Sequence, residues 1–334
     1  MTESNKKNMK WKDRLLSSSL PLEYEIGKIL TEKNYIIDFD YSYKRHDNQL
    51  EKEFSIDLKA NNFYPIGKYK RKFIITDLLI ECKYRNPNIS WLFLNDFNNK
   101  EYSNFTHKGV IKFFDEFSLF HSINNRTFFP TADLCLKGVE INTNNGEVHD
   151  KGIIHGINQL VYCMPQIILS YIKSTFSDHL SDVDPYILCP ILVTTADLRI
   201  INEDFSILNV HQTDSLDSIS REVPYIRLYS DVYPSFQDHC ENLFDNLPSN
   251  TEEEERLKSL YNLREYKGNI LDKPGYDKFY NNTFELISQL RNGIANDIFR
   301  ETLICNHNHF PKLLTEIEQG IDSISNGITI IKES

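Results

Sequence analysis

Apolar and polar residues alternate in clear patterns over the first two thirds of this 334-residue chain and less regularly after that. Residues 1–17 are polar and hold Lys6, Lys7, Lys10, Lys12 and Arg14, which reads as a frayed, solubilising arm. Over 21–33, Leu22, Ile26, Ile29 and Leu30 recur at helical spacing, with Pro21 at the start, where a missing N–H costs nothing. Three strands are predicted next. Residues 35–43 are rich in Ile, Phe and Tyr. Residues 54–63 alternate, with Phe54, Ile56, Leu58 and Ala60 on one face and Ser55, Asp57, Lys59 and Asn61 on the other. Residues 72–84 form a nearly continuous apolar run, the pattern of a strand covered on both faces. The Asn-rich stretch 86–150 predicts a helix near 108–120 and a strand near 133–141. A long amphipathic helix is predicted over 153–172, bent at Pro165, and a buried strand over 186–195. Beyond Asp204 the pattern turns helical, with an N-cap at Thr251 ahead of four glutamates and helices over 278–299 and 312–324.

This order predicts an α/β domain over residues 18–205, with an insertion at about 86–150, between the polar arm and a mostly helical, acidic region over 206–334. Charge sharpens that division. The net charge is +4 over residues 1–85, −4 over 86–200 and −11 over 201–334. An acidic chain does not coat nucleic acid electrostatically, so a contact with it must be local or bridged by metal ions. The acidic C-terminal part is a candidate surface for a protein partner or a second copy. Six cysteines stand far apart without a C-x-x-C pair, and no secretory signal or simple membrane span is visible. The expectation is a reduced cytoplasmic protein with no membrane partner. The phosphate-binding G-x-x-x-x-G-K-[ST], the dinucleotide G-x-G-x-x-G and the hydrolase G-x-S-x-G are absent from the sequence.

Chemistry concentrates in Asp57, Glu81 and Lys83. Glu81 and Lys83 share one strand face, and the 64–71 stretch is long enough to fold the two strands into an antiparallel hairpin that brings Asp57 beside them. Hard divalent ions take such oxygen ligands, and Mg²⁺ typically uses one or two carboxylates with substrate phosphate and water. A lysine there can orient a water, take its proton or stabilise developing charge. With 24 Glu and 25 Lys, about two E-x-K triplets arise by chance, and Glu265–Tyr266–Lys267 reads as one. Context favours Glu81-Cys82-Lys83, because these residues interrupt an apolar strand where burial penalises them. In a rival register, Asp57-Leu58-Lys59 is the D-x-K triplet and Asp38 or Asp40 the earlier carboxylate.

The Glu81–Arg85 run, ECKYR, resembles the corresponding strand of Mrr-type restriction enzymes and related resolvases in the PD-(D/E)xK nuclease superfamily. The resemblance covers residues 20–85 by motif and 150–195 by element order. It implies a restriction-endonuclease-like core (helix, three strands, helix, strand; mixed central sheet) with a helical C-terminal appendage. It also implies Mg²⁺ or Mn²⁺ as cofactor, held by Asp57, Glu81 and the backbone carbonyl of Cys82. Lys83 would be the catalytic lysine. Glu23, twelve residues before Tyr35 and preferred to Glu25, would act through a water or a second ion. Two departures stand out: Ile56 precedes Asp57 where the family often has Pro, and the 65 residues before the second core helix are long for a minimal core. Gln159, three residues before Tyr162, invites comparison with the Q-h-x-x-Y helix of RecB-like members, although the tyrosine comes one position early.

Weaker signals are a basic cluster of Lys68, Lys70, Arg71 and Lys72 in the hairpin turn, placed to grip phosphates beside the site, a C-x-H-x-H string at Cys305, His307 and His309, with His239 and Cys240 as further zinc ligands, and the Thr194–Thr195 pair, read as a sheet cap or a phosphate contact. The resulting expectation is a Mg²⁺-dependent endonuclease, acting on DNA and serving a prokaryotic restriction or anti-phage defence system. Its alternatives are a catalytically silent nuclease fold that binds nucleic acid or a protein partner, and an RNA-cleaving toxin on the same core.

Overall fold

The structure is a computed structural model. It describes residues 3–47, 50–67, 72–97, 109–116, 120–122, 132–175, 184–245, 247 and 284–330. Helix α1 (Glu3–Ser17) leads into α2 (Leu20–Glu32), and the strands β1 (Ile36–Asp47), β2 (Leu50–Pro65) and β3 (Phe73–Lys83) follow as an antiparallel meander. The polar arm is therefore a helix, exposed from Lys10 through Ser18, and not a frayed end. Strands β4 (Ile89–Asn95), β5 (Lys112–Phe114), β6 (Phe120–Ser122), β7 (Leu134–Asn142) and β8 (Val148–His149) precede helix α3 (Lys151–Thr175), which runs through Pro165. The chain continues through β9 (Tyr186–Thr194), β10 (Asp197–Ile201), α4 (Ile207–Gln212), β11 (Ser220–Glu222), β12 (Tyr225–Tyr229), α5 (Pro234–Phe244), β13 (Glu301–Asn306), α6 (Phe310–Gly327) and β14 (Ile328–Ile330).

The protein is α/β. One mixed sheet of twelve strands runs β1-β2-β3-β9-β13-β12-β7-β4-β10-β11, with β5 beside β9 and β8 beside β7; β14 and β6 form a separate pair. All nine residues of β9 are buried. This strand pairs in parallel with β3 along one edge. Its other edge is shared by β5, antiparallel at Tyr186–Leu188, and β13, parallel from Ile191. Pro190, which has no N–H to give, falls in the gap between those two partners. Both faces of the sheet are covered. Ile157, Leu160 and Met164 of α3 share one apolar cluster with Phe236 and Phe244 of α5. Leu22, Ile26 and Leu30 of α2 share the other with Leu313, Leu314 and Ile317 of α6.

Three expectations need correction. The helix predicted near 108–120 is, where described, the short strand β5, because Phe113 and Phe114 pack into opposite faces of the sheet, as period-two side chains do. The 86–150 stretch is less an outlying insertion than a source of strands, with β4 and β7 in the same sheet. The C-terminal region is not a helical appendage: β12 and β13 sit inside the sheet, and α6 covers its α2 side. Strand β13 is six residues long and buried throughout, too short and too uniform to show a period. The N-cap at Thr251 and most of the helix expected from 278 lie outside the described residues; 284–291 is helical, and a 3-10 helix follows at Ile294–Phe299.

A testable consequence is that residues 1–205 do not fold alone. Cutting there uncovers the β13 edge of β9 and the apolar face that α6 covers. The expected result for the 1–205 fragment is aggregation or a non-cooperative urea transition monitored by circular dichroism. A monodisperse fragment with a single sharp transition would show that the C-terminal third is dispensable.

Candidate functional site

The site forms where β2 leaves β3. Their ladder pairs Pro65 with Phe73 and continues to Leu58 with Ile80. The next pair in that register is Asp57 with Glu81. There the Cys82 N–H, which would otherwise look to the departing strand, donates instead to Asp57 Oδ2 at 2.6 Å. The bend is shared by β1: Asp40, opposite Asp57 in the register that joins Phe39 to Leu58 and Tyr41 to Ile56, has a positive φ of 51°. Aspartate tolerates that left-handed conformation better than most residues. The clean alternation expected of β2 consequently breaks at Asp57. Leu58 and Ala60 join the α2-side cluster, whereas Ile56 joins the α3-side cluster.

Glu81 and Lys83 occupy the end of β3 beyond this split. The Glu81 carboxylate is fully buried; its Oε1 accepts from Lys83 Nζ, and its Oε2 has no hydrogen-bond partner. Lys83 Nζ also donates to Gln159 Oε1 at 3.2 Å, and Gln159 Nε2 donates to the Ser55 carbonyl at 3.1 Å. The α3 glutamine thus bridges the catalytic-lysine candidate to the backbone of β2. Glu23, half-buried on α2, approaches from the other side of the sheet, while Glu25 is exposed. Cys82 points its side chain into the α2-side core, so only its backbone is directed to the site.

The carboxylates hold their protons unusually tightly. Glu81 is pushed up to about 8, first by burial and then by the charge of Asp57. Glu23 rises to about 7 through burial, Asp57 and Asp40. Asp57 is raised by burial, which outweighs the Cys82 amide and Lys83. Such groups crowd negative charge into a poorly solvated notch. As the side chains stand, Asp57 is turned to Cys82 and Glu81 to Lys83. Among the described residues, no three His, Cys, Asp or Glu side chains lie together as a ready metal cage. The donor set nevertheless suits a hard cation. It offers a buried carboxylate oxygen without a partner, beside a second carboxylate whose mutual repulsion a cation would relieve.

Other expected residues lie elsewhere. Lys59 Nζ is 3.3 Å from Asp77 Oδ2, which also receives the Tyr186 hydroxyl at 2.8 Å, so the rival D-x-K register does not assemble a site. Glu265 and Lys267 lie outside the described residues, as do Lys68, Lys70 and Arg71. Lys72 immediately precedes β3, nine residues and about 30 Å of strand from Glu81. Lys72 is thus not beside Glu81, and its expected grip on phosphates at the site does not hold. Cys305 sits in the α2-side core and Cys240 in the α3-side core, so the sheet separates the zinc ligands considered together. Tyr162 turns from the site, its hydroxyl 2.9 Å from Ser235 and its ring under Arg45.

Thr194 and Thr195 act as a sheet cap. Thr194 Oγ1 donates to the Lys83 carbonyl at 2.9 Å; Thr195 Oγ1 donates to the Arg85 carbonyl at 2.7 Å and accepts from the Arg85 N–H at 2.6 Å. Sequence reasoning passed over Arg85 and His155. The period-two series Glu81, Lys83, Arg85 was the available signal for the first, and the helical series Gly152, His155, Gly156, Gln159 for the second.

A raised carboxylate gives a signed pH dependence. Folded Glu81 binds its proton more tightly than the unfolded chain does, so its stabilising contribution is full below about 4.5 and is lost as pH rises through about 8. Glu81→Gln is expected to gain melting temperature relative to wild type as pH climbs across that window, with the gap closing near pH 4.5, as read by scanning fluorimetry. A gap that is constant with pH would mean that Glu81 does not titrate in this way.

Searches of family models, curated proteins and solved structures each return no match to this chain.

Proposed function

We propose that the chain is a metal-dependent endonuclease that hydrolyses phosphodiester bonds, with DNA as the favoured substrate, on a restriction-endonuclease-like core. The observation that carries this reading is the contact set at the β2–β3 split: Lys83 Nζ held between Glu81 Oε1 and Gln159 Oε1, with Asp57 anchored one residue away on the Cys82 amide. The order α2, β1–β3, α3, β9, with β9 parallel to β3, supports it as well. So does the ECKYR resemblance.

In this reading Asp57, Glu81 and the Cys82 carbonyl hold Mg²⁺ or Mn²⁺, and Glu23 acts through water or a second ion. Such an ion lowers the pKa of a bound water and neutralises charge on the phosphodiester. The residues of the chain do the rest. Gln159 fixes Lys83 Nζ over the site, where its ammonium orients the attacking water and stabilises the developing negative charge while the water's proton passes to solvent. Water oxygen bonds to phosphorus as the P–O bond to the leaving sugar oxygen breaks, and that oxygen leaves with a proton from solvent. Buried Glu81 keeps bulk water from the lysine's inner side.

The test is nicking of supercoiled plasmid with Mg²⁺, Mn²⁺ or EDTA. Wild type is expected to nick with either metal and not with EDTA. Glu81→Ala and Lys83→Ala are expected to lose at least about a hundredfold in rate while remaining folded. Unchanged nicking by a folded Lys83→Ala would overturn the assignment. Absence of nicking by wild type, together with no metal-dependent heat in calorimetry, would favour a silent binding fold.

A further inference from the structure

Two residues beyond Lys83, just past the end of β3, stands Arg85, and α3 lies against both side chains. A Cβ on Gly152 would fall 2.0 Å from Arg85 Nη2, and one on Gly156, a turn later, 3.5 Å from Lys83 Cε. Gly152 lets the helix settle directly against the Arg85 guanidinium, Gly156 lets it settle on Leu192 with Lys83 in ordinary contact, and Gln159 holds Lys83 a turn later. His155 lies on this helix face between them and is exposed. Its proton affinity is lowered by partial burial and then by the charges of Lys83 and Arg85.

Arg85 is built into position. Its Nε donates to Glu140 Oε2 at 2.5 Å, and its Nη1 donates to the Tyr84 carbonyl at 2.9 Å. The same Glu140 oxygen accepts from Trp91 Nε1 at 2.9 Å, and His149 Nε2 is 3.5 Å from the other. Glu140 is 5% exposed, so this is a supported carboxylate holding a guanidinium from behind. The Arg85 side chain keeps 18% exposure. Thr195 fixes its backbone through both N–H and C=O.

We propose that Arg85, set by Glu140, and His155 form a phosphate-binding subsite next to Lys83 that receives a backbone phosphate of a DNA duplex. It adds a guanidinium on the α3 side of the sheet, where Glu81 and Lys83 already meet Gln159, while Glu23 stands on α2. The inference rests on the reading of a nucleic-acid phosphodiester as substrate. Guanidinium geometry suits the two oxygens of a phosphate.

The experiment is fluorescence anisotropy of a labelled DNA duplex in EDTA over a range of NaCl, run beside the plasmid assay. Arg85→Ala is expected to weaken binding by about tenfold and to reduce the slope of log affinity against log salt by about one phosphate contact. Arg85→Lys is expected to restore the slope but not all of the affinity. His155→Ala is expected to weaken binding severalfold. Because Arg85→Ala leaves Glu140 buried without its cation, Arg85→Ala/Glu140→Gln is measured as well, with melting temperature as the folding control. A folded double variant with wild-type affinity and slope overturns the subsite. Binding that depends on Arg85 without any nicking keeps the subsite and removes the nuclease. Nicking with a slope indifferent to Arg85 does the reverse, and failure of wild type to bind duplex in EDTA removes the subsite and leaves the nuclease to the plasmid assay.

Discussion

One hydrogen bond organises the region of interest: the Cys82 N–H to Asp57 Oδ2. A strand that leaves its neighbour in mid-sheet strands a backbone donor, and a buried donor without an acceptor is costly. Asp57 supplies the acceptor from its side chain, so β2 can bend away while the ladder stays satisfied. The same substitution of carboxylate for carbonyl draws a negative group into the sheet edge and opens the notch that Glu81 and Lys83 occupy. Asp40, in a left-handed conformation directly across, lets β1 follow the bend. Sheet continuity on one side and chemistry on the other are therefore settled by one side chain.

The electrostatics follow from that geometry. Asp57, Glu81 and Glu23 are brought out of water and toward one another, and each holds its proton above the ordinary carboxylate range. Lys83 is the counter-charge within the notch, yet Glu81 Oε2 is left without a partner. On the α3 side Glu140 is matched by Arg85 and Glu81 by Lys83.

Much of this was legible in the sequence. Helix α2, strands β1 to β3, helix α3 and strand β9 are long enough to display their periods, and the structure places them where the pattern predicted. The proximity of Asp57, Glu81 and Lys83 was legible as well, from strand spacing and the hairpin, whereas Glu23 and Gln159 were reached through the family resemblance. What escaped was set by tertiary contacts. Strand β5 is three residues long and takes its form from the edge of β9. Strand β13 is buried on both faces, so its apolar run is compatible with a helix. The break in β2 arises from a side-chain hydrogen bond that alternation does not encode, and the distance of Lys72 from Glu81 depends on which end of β3 carries the chemistry.

The stitching of β3 to β9 has a mechanical consequence. Thr194 and Thr195 tie the Lys83 and Arg85 backbone to the most deeply buried strand of the sheet. Motion at this end of β3 therefore requires opening the centre of the molecule, an event as rare as global unfolding. A substrate that needs room must obtain it from the elements flanking the sheet, α2 and the first turns of α3, whose hold on the site is by side chains alone. The fold thus divides the site into a fixed floor and adjustable walls.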